Sequence, residues 1–163
     1  DRQLEALREA VKIFGEGSIT THLIVGLGET EKEVAQMIQW CVDLGVYPGL
    51  FAFTPIPGTP LEKSAQPSLS RYRRVQVAHY LITRKKTRCE KMIFDGEGCL
   101  VNFGVSERQL REVVGTGEPF VTSGCPGCNR PYYNERPGGP LYNYPRQLLP
   151  QEINEIKRQN RVL

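Results

Sequence analysis

The sequence predicts an α/β protein, and three observations predict it. An apolar, β-branched run over residues 19–25 ends in a glycine turn, Gly26-Leu27-Gly28, closed by Glu29. A capping box, Thr30-Glu31-Lys32-Glu33, then opens an amphipathic helix carrying Val34, Met37, Ile38, Cys41 and Val42 on one face. A second apolar strand follows over residues 50–53, broken by Thr54-Pro55-Ile56-Pro57-Gly58-Thr59-Pro60. Two strands about thirty residues apart across a helix have the dimensions of one βαβ unit. Such crossovers are almost always right-handed and join parallel strands.

The remaining elements follow in order. Leu4, Leu7, Val11 and Phe14 recur at helical spacing, with Gly15 as the stop. The strand over residues 19–25 reads as buried, with His22 packed and hydrogen-bonded within it. Ser70 is expected to cap a third helix carrying Tyr72, Val75, Ala78 and Ile82, with His79 on its surface. Arg84, Lys85, Lys86 and Arg88 crowd the end of that helix, where the dipole favours cations on a solvated face. After Met92 glycine, proline and aromatics rise. Ser106 and Gln109 form a second capping box, with Val105 and Leu110 placed as its staple. Residues 115–145 show little regularity, and a last helix is expected over residues 150–161. Long irregular segments in compact proteins are usually functional or held by something other than a core. The expected organisation is a barrel-like unit over residues 1–92 and a loop-rich region over residues 93–163.

The bulk numbers bound the function. The 163 residues suffice for one ordinary domain, and 39% hydrophobic with 24% charged residues fit a soluble globular chain. A net charge of +3 gives no argument for nucleic acid or a membrane surface. No window approaches the roughly 20 apolar residues that span a bilayer, and no signal peptide is visible. Five cysteines without a disulfide rhythm point to a reducing cytoplasm.

Two stretches carry candidate chemistry. Ligands of α/β proteins bind at the carboxyl ends of parallel strands, where glycines let the backbone approach them closely. The turn is neither a Walker A loop nor a three-glycine dinucleotide fingerprint. Glu29, at the mouth of its strand, could accept hydrogen bonds from an amino group or a ribose hydroxyl. The stiff proline loop beginning at Thr54 falls on the same rim. Far along the chain, Cys125-Pro126-Gly127-Cys128 brings two thiolates within reach of one centre. Zinc, an iron–sulfur cluster, a redox dithiol and a purely structural pair all remain open. Cys99, after a glycine-rich turn, is the most plausible additional ligand. Cys41 belongs to the core by its place on an apolar helix face, and Cys89 sits among basic residues that would lower its pKa. Arginines and tyrosines crowd residues 129–136, where they could compensate a cluster or wall a site.

The run Ile24-Val25-Gly26-Leu27-Gly28-Glu29-Thr30, a helix, and then Phe53-Thr54-Pro55-Ile56-Pro57-Gly58-Thr59-Pro60-Leu61 resembles the second half of a radical S-adenosylmethionine barrel of the biotin synthase and lipoyl synthase kind. The tail, Ser123-Gly124-Cys125-Pro126-Gly127-Cys128-Asn129-Arg130-Pro131 with Gly139-Pro140-Leu141-Tyr142-Asn143-Tyr144-Pro145, resembles that of the two-component, archaeal-type lipoyl synthases. The resemblance implies the C-terminal part of a partial parallel (β/α) TIM-like barrel followed by a loop-rich, cysteine-containing tail. It implies that Ile24, Gly26, Gly28, Glu29 and Pro55 contact S-adenosylmethionine, and that Cys125 and Cys128 hold part of an auxiliary iron–sulfur cluster, for which Cys99 is the further ligand this sequence offers. The leading glycine of the family's strand motif is His22 here. The family's Cys-x-x-x-Cys-x-x-Cys, which holds the catalytic 4Fe-4S cluster, occurs nowhere in this sequence. The expectation is therefore that this cluster lies on an N-terminal half of the barrel or a second subunit, and that this chain alone is inactive. The implied reaction is sulfur insertion into an unactivated C–H bond of an acyl or other small-molecule substrate, in the cytoplasm, with neither nucleic acid nor membrane as partner. The rival expectation is a metal-stabilised binding module without chemistry, and a third is a radical enzyme with another substrate.

Overall fold

The computed structural model describes residues 2–123 and 138–160. Helix α1 (Arg2–Phe14) leads into strand β1 (Ile19–Val25), helix α2 (Glu31–Asp43), strand β2 (Val46–Ala52) and helix α3 (Leu69–Thr83). A short hairpin, β3 (Ile93–Phe94) and β4 (Leu100–Asn102), helix α4 (Glu107–Thr116) and helix α5 (Pro150–Gln159) follow. The fold is mixed α/β. Strands β1 and β2 pair in parallel in the register Ile19↔Val46 through Val25↔Ala52, and β3 pairs antiparallel with β4. The described residues close no barrel.

Local chemistry sets these boundaries. The hydroxyl of Thr30 accepts the backbone N–H of Glu33 while Glu33 reaches back to the N–H of Thr30, which starts α2 directly after the glycine turn. Ser106 and Gln109 do the same for α4, and Gly117 ends that helix at a φ of 73°. The cap of α3 is Ser68, two residues before the expected Ser70, whose hydroxyl instead donates to Asn160. Strand β2 begins at Val46, four residues earlier than its apolar run, and takes Pro48 into its interior.

The sheet is covered on one side. Val25, Leu50 and Ala52 join Val34 and Ile38 of α2 and Tyr72, Val75 and Leu81 of α3 in one hydrophobic core that continues through Phe103, Val114 and Phe120 to Ile156. Alternate residues point the other way. Thr20, His22 and Ile24 of β1 are exposed, and Tyr47 and Phe51 of β2 are half-buried. The expectation of a buried first strand is thus corrected: among the described residues, helices meet only one face of β1. His22 is likewise exposed, its ring edge-on to Phe51 with centroids 4.7 Å apart.

The two edges of the sheet differ. The carbonyl of Val25 accepts from Phe53 N–H, so β2 turns the backbone groups of Pro48 and Leu50 to its outer edge. There His79 Nε2–H donates to the Pro48 carbonyl at 2.6 Å, and the Leu50 N–H donates to Ser123 Oγ at 2.7 Å. By the same alternation, the outer edge of β1 presents the backbone groups of Thr20, His22 and Ile24, and no described strand pairs with it.

The end of the chain is tied to α3. Arg73 donates to the carbonyls of Leu141 and Tyr142, Gln76 donates to Tyr142 and Asn143, and the Tyr142 hydroxyl donates to Pro67. Tyr144 and residues 120–122 exchange backbone bonds in a short parallel bridge. No described helix is long and apolar enough to cross a membrane.

Candidate functional site

The carboxyl ends of β1 and β2 bring two of the sequence-predicted loops together. Gly26 and Gly28 adopt φ values of 112° and 111°, where a side chain is strained. Gly26 also lies against its neighbours: a Cβ there would sit 2.7 Å from Pro67 Cδ and 3.3 Å from Phe53 Cβ. Gly28 has open space on that side, with nothing within 4 Å. The first glycine therefore serves packing, and the second leaves backbone accessible. Pro55 follows two residues after Phe53, half-buried, in the loop that leaves β2. Gln66 steadies this loop by donating to the Phe53 carbonyl and the Thr54 hydroxyl.

Glu29 folds back on its own turn. One carboxylate oxygen accepts Gly26 N–H and the other accepts Leu27 N–H, each at 2.8 Å. Arg71 bridges the first oxygen at 3.0 Å and also donates to the Glu29 backbone carbonyl. A carboxylate offers about four lone-pair positions, and three are engaged here, so Glu29 braces the loop first. Ile24 and Leu27 stand on the accessible side, 51% and 54% exposed. With His22, Val34 and Met37 they line a largely apolar cleft of about 470 Å³ along the edge of β1 that no described strand pairs with.

Arg71, Gln66 and Pro67 were not legible as site residues. One signal did exist. Arg71, Arg73 and Arg74 fall in the first turns of α3, where the helix dipole disfavours cations. Each has an acidic or carbonyl partner that explains it. Arg74 grips the buried Glu31 through both carboxylate oxygens, and Glu31 in turn accepts Leu100 N–H at 2.7 Å.

Cys99 lies in the β3–β4 turn, its N–H donated to Asp95 Oδ1 at 2.8 Å. This turn sits on the N-terminus of α2: the Gly98 carbonyl accepts Lys32 N–H, and a Cβ on Gly98 would meet Thr30 at 2.8 Å. Desolvation, then Glu31 and Asp95, push the Cys99 thiol above its usual range. Cys125 and Cys128 lie outside the described residues. Among the described residues no three His, Cys, Asp or Glu side chains are grouped to hold a metal.

Two expectations outside the rim are corrected. Cys89 has its thiol pushed up, first by burial and then by Glu90, because Arg88 turns away to Asp43 and Glu90. His79 is buried, not on a helix surface, because it satisfies Pro48. The last helix stands where the sequence put it, over Pro150–Gln159. Cys41 is buried as expected, its thiol pushed up to about 11 by desolvation.

Compared with family models, curated proteins and solved structures, the chain matches none.

Proposed function

We propose that this chain is the C-terminal part of a radical S-adenosylmethionine enzyme of the biotin synthase- or lipoyl synthase-like, sulfur-inserting class. The observation that carries the reading is the meeting of residues 26–29 and the loop after Phe53 at one rim of a parallel strand pair. Among the described residues, helices cover one face of that pair and leave the other open, as in a segment of barrel wall. Further strands would join at β1, since side chains already occupy the outer edge of β2. In this reading they come from the N-terminal half of the barrel or from a second subunit.

The rim residues fit S-adenosylmethionine in kind. Ile24 and Leu27 offer apolar contact, and Gly28 lets the ligand approach backbone. Pro55 stiffens the neighbouring loop, while Gly26, Glu29 and Arg71 hold the turn in shape. Bound beside a reduced iron–sulfur cluster, the cofactor supplies the hydrogen-abstracting radical. The contribution of this chain is to orient it and to exclude water. For an auxiliary cluster the described residues supply Cys99 alone, so no step is assigned to it. A protein of this class works in a reducing cytoplasm, on an acyl-type or other small-molecule substrate.

A specific observation favours the second reading, a metal-stabilised binding module. The Glu29 carboxylate is engaged by its own loop and Arg71. Metal analysis separates the two. After anaerobic reconstitution, iron and acid-labile sulfide near cluster stoichiometry, lost in Cys125→Ala/Cys128→Ala, support the enzyme. Tightly held zinc supports the module, and no metal at all removes the role given to the cysteine pair in both readings.

A further inference from the structure

Among the described residues, ten glycines adopt positive φ and one other residue does: Lys85, at 53°. It occupies the position after the cap of α3 where glycine is the usual choice. The hydrogen bonds there are those of a complete Schellman motif. Lys85 N–H donates to the Ile82 carbonyl, and Lys86 N–H donates to the Leu81 carbonyl. A chain that places glycine at every other such position keeps a lysine at this one, against a steric penalty. Strain retained at one residue points to a use for its side chain.

The surroundings give that use a chemistry. A groove of about 510 Å³ is lined by Lys85, Lys86, Arg88 and Lys91, with Glu16 and Asp43 as its acids. Arg88 is bidentate to Asp43, which leaves three lysines facing one glutamate, and none of the three lysines forms an ion pair among the described residues. The platform is rigid. The Thr87 hydroxyl donates to the Gly104 carbonyl, Cys89 N–H donates to Gln39, and a Cβ on Gly104 would lie 2.6 Å from the Lys91 carbonyl oxygen. Cations are thus held on a fixed backbone at the C-terminal end of α3. At 1.5 Å per residue, its 15 residues put them about 22 Å along the helix from the end nearest the glycine rim.

We propose that this basic platform docks an acidic surface of a partner protein. The lysine heads are exposed point charges on flexible stems, and the buried donors that line the groove, Gln39 and Thr87, are already bonded to Asp43 and the Gly104 carbonyl. That arrangement suits several separated carboxylates better than one compact anion. Docking there leaves the rim at the other end of α3 unobstructed.

Lysine 85 allows a test in which folding and binding move in opposite directions. The probe is fluorescein-labelled poly-L-glutamate, followed by anisotropy at low and near-physiological salt. Lys85→Gly is expected to raise the melting midpoint by about 3 °C and to weaken binding roughly two- to threefold. Lys85→Gly/Lys86→Ser/Lys91→Ser is expected to weaken it at least about tenfold. The control Lys63→Ser/Lys157→Ser should stay within about twofold of wild type. The proposal is overturned if Lys85→Gly gains stability with unchanged affinity, or if the control loses as much as the triple variant. Tighter binding of tripolyphosphate or duplex DNA at the same lysines overturns it as well, because the partner is then not an acidic protein.

Discussion

The guanidinium of Arg71, on the third residue of α3, reaches the carboxylate of Glu29 at 3.0 Å and locks the turn that ends β1. This pair joins the glycine loop to the helix that follows the proline loop, so the two halves of the rim are positioned by one ionic contact. Glu29→Ala removes that contact and two charge-assisted bonds to backbone N–H groups. With both side chains about three-quarters buried, the expected loss is about 2 kcal/mol. Urea denaturation at neutral pH measures it. An unchanged midpoint would mean that the loop holds itself without the carboxylate.

The two glycines of the turn should respond differently. Gly26→Ala meets both a positive φ and the Pro67 ring at 2.7 Å, whereas Gly28→Ala meets the φ strain alone. Gly28→Ala should cost about 1 kcal/mol and Gly26→Ala about 2–3 kcal/mol. Equal losses in thermal unfolding would remove the packing role given to Gly26.

His79 should make the fold acid-sensitive. Burial, opposed by its bond to Pro48, lowers its pKa from 6.5 to about 4. Between these values the unfolded chain binds a proton that the folded chain does not, so stability falls as pH is lowered through that window. The slope is at most about 1.4 kcal/mol per pH unit for this group. Above pH 6.5 the effect vanishes. Unfolding free energies at pH 7.5 and pH 5 should differ less in His79→Gln than in wild type, and equal differences would assign the acid sensitivity to other groups.

The edge of β1 that no described strand pairs with, flanked by exposed Ile24 and Leu27, should make the isolated chain self-associate. Sedimentation is expected to show concentration-dependent oligomers, and Ile24→Lys should shift them toward monomer with little loss of stability. A clean monomer that melts cooperatively would contradict this.

Local signals were legible where local chemistry decides. The run over residues 19–25 and both capping boxes stand where the sequence put them, because β-branched side chains and side-chain caps act within a few residues. The start of β2 was not legible, since Pro48 argues against a strand. An edge position tolerates it: its missing N–H would have pointed away from β1, and its carbonyl finds His79. The burial of His79 is the other half of that contact, 31 residues away. The same holds for Arg71, whose partner lies 42 residues back. Periodicity identifies faces, but long-range pairs between polar side chains leave no spacing to read.

The central claim, a cofactor site on the rim, is tested most directly by titrating the isotope-labelled chain with S-adenosylmethionine and following backbone amide shifts. The account predicts saturable shifts at Ile24, Leu27, Gly28 and Thr54, weakened at least about tenfold in Ile24→Glu by its charge in an apolar contact. Shifts absent at millimolar cofactor, or clustered away from the ends of β1 and β2, would contradict it.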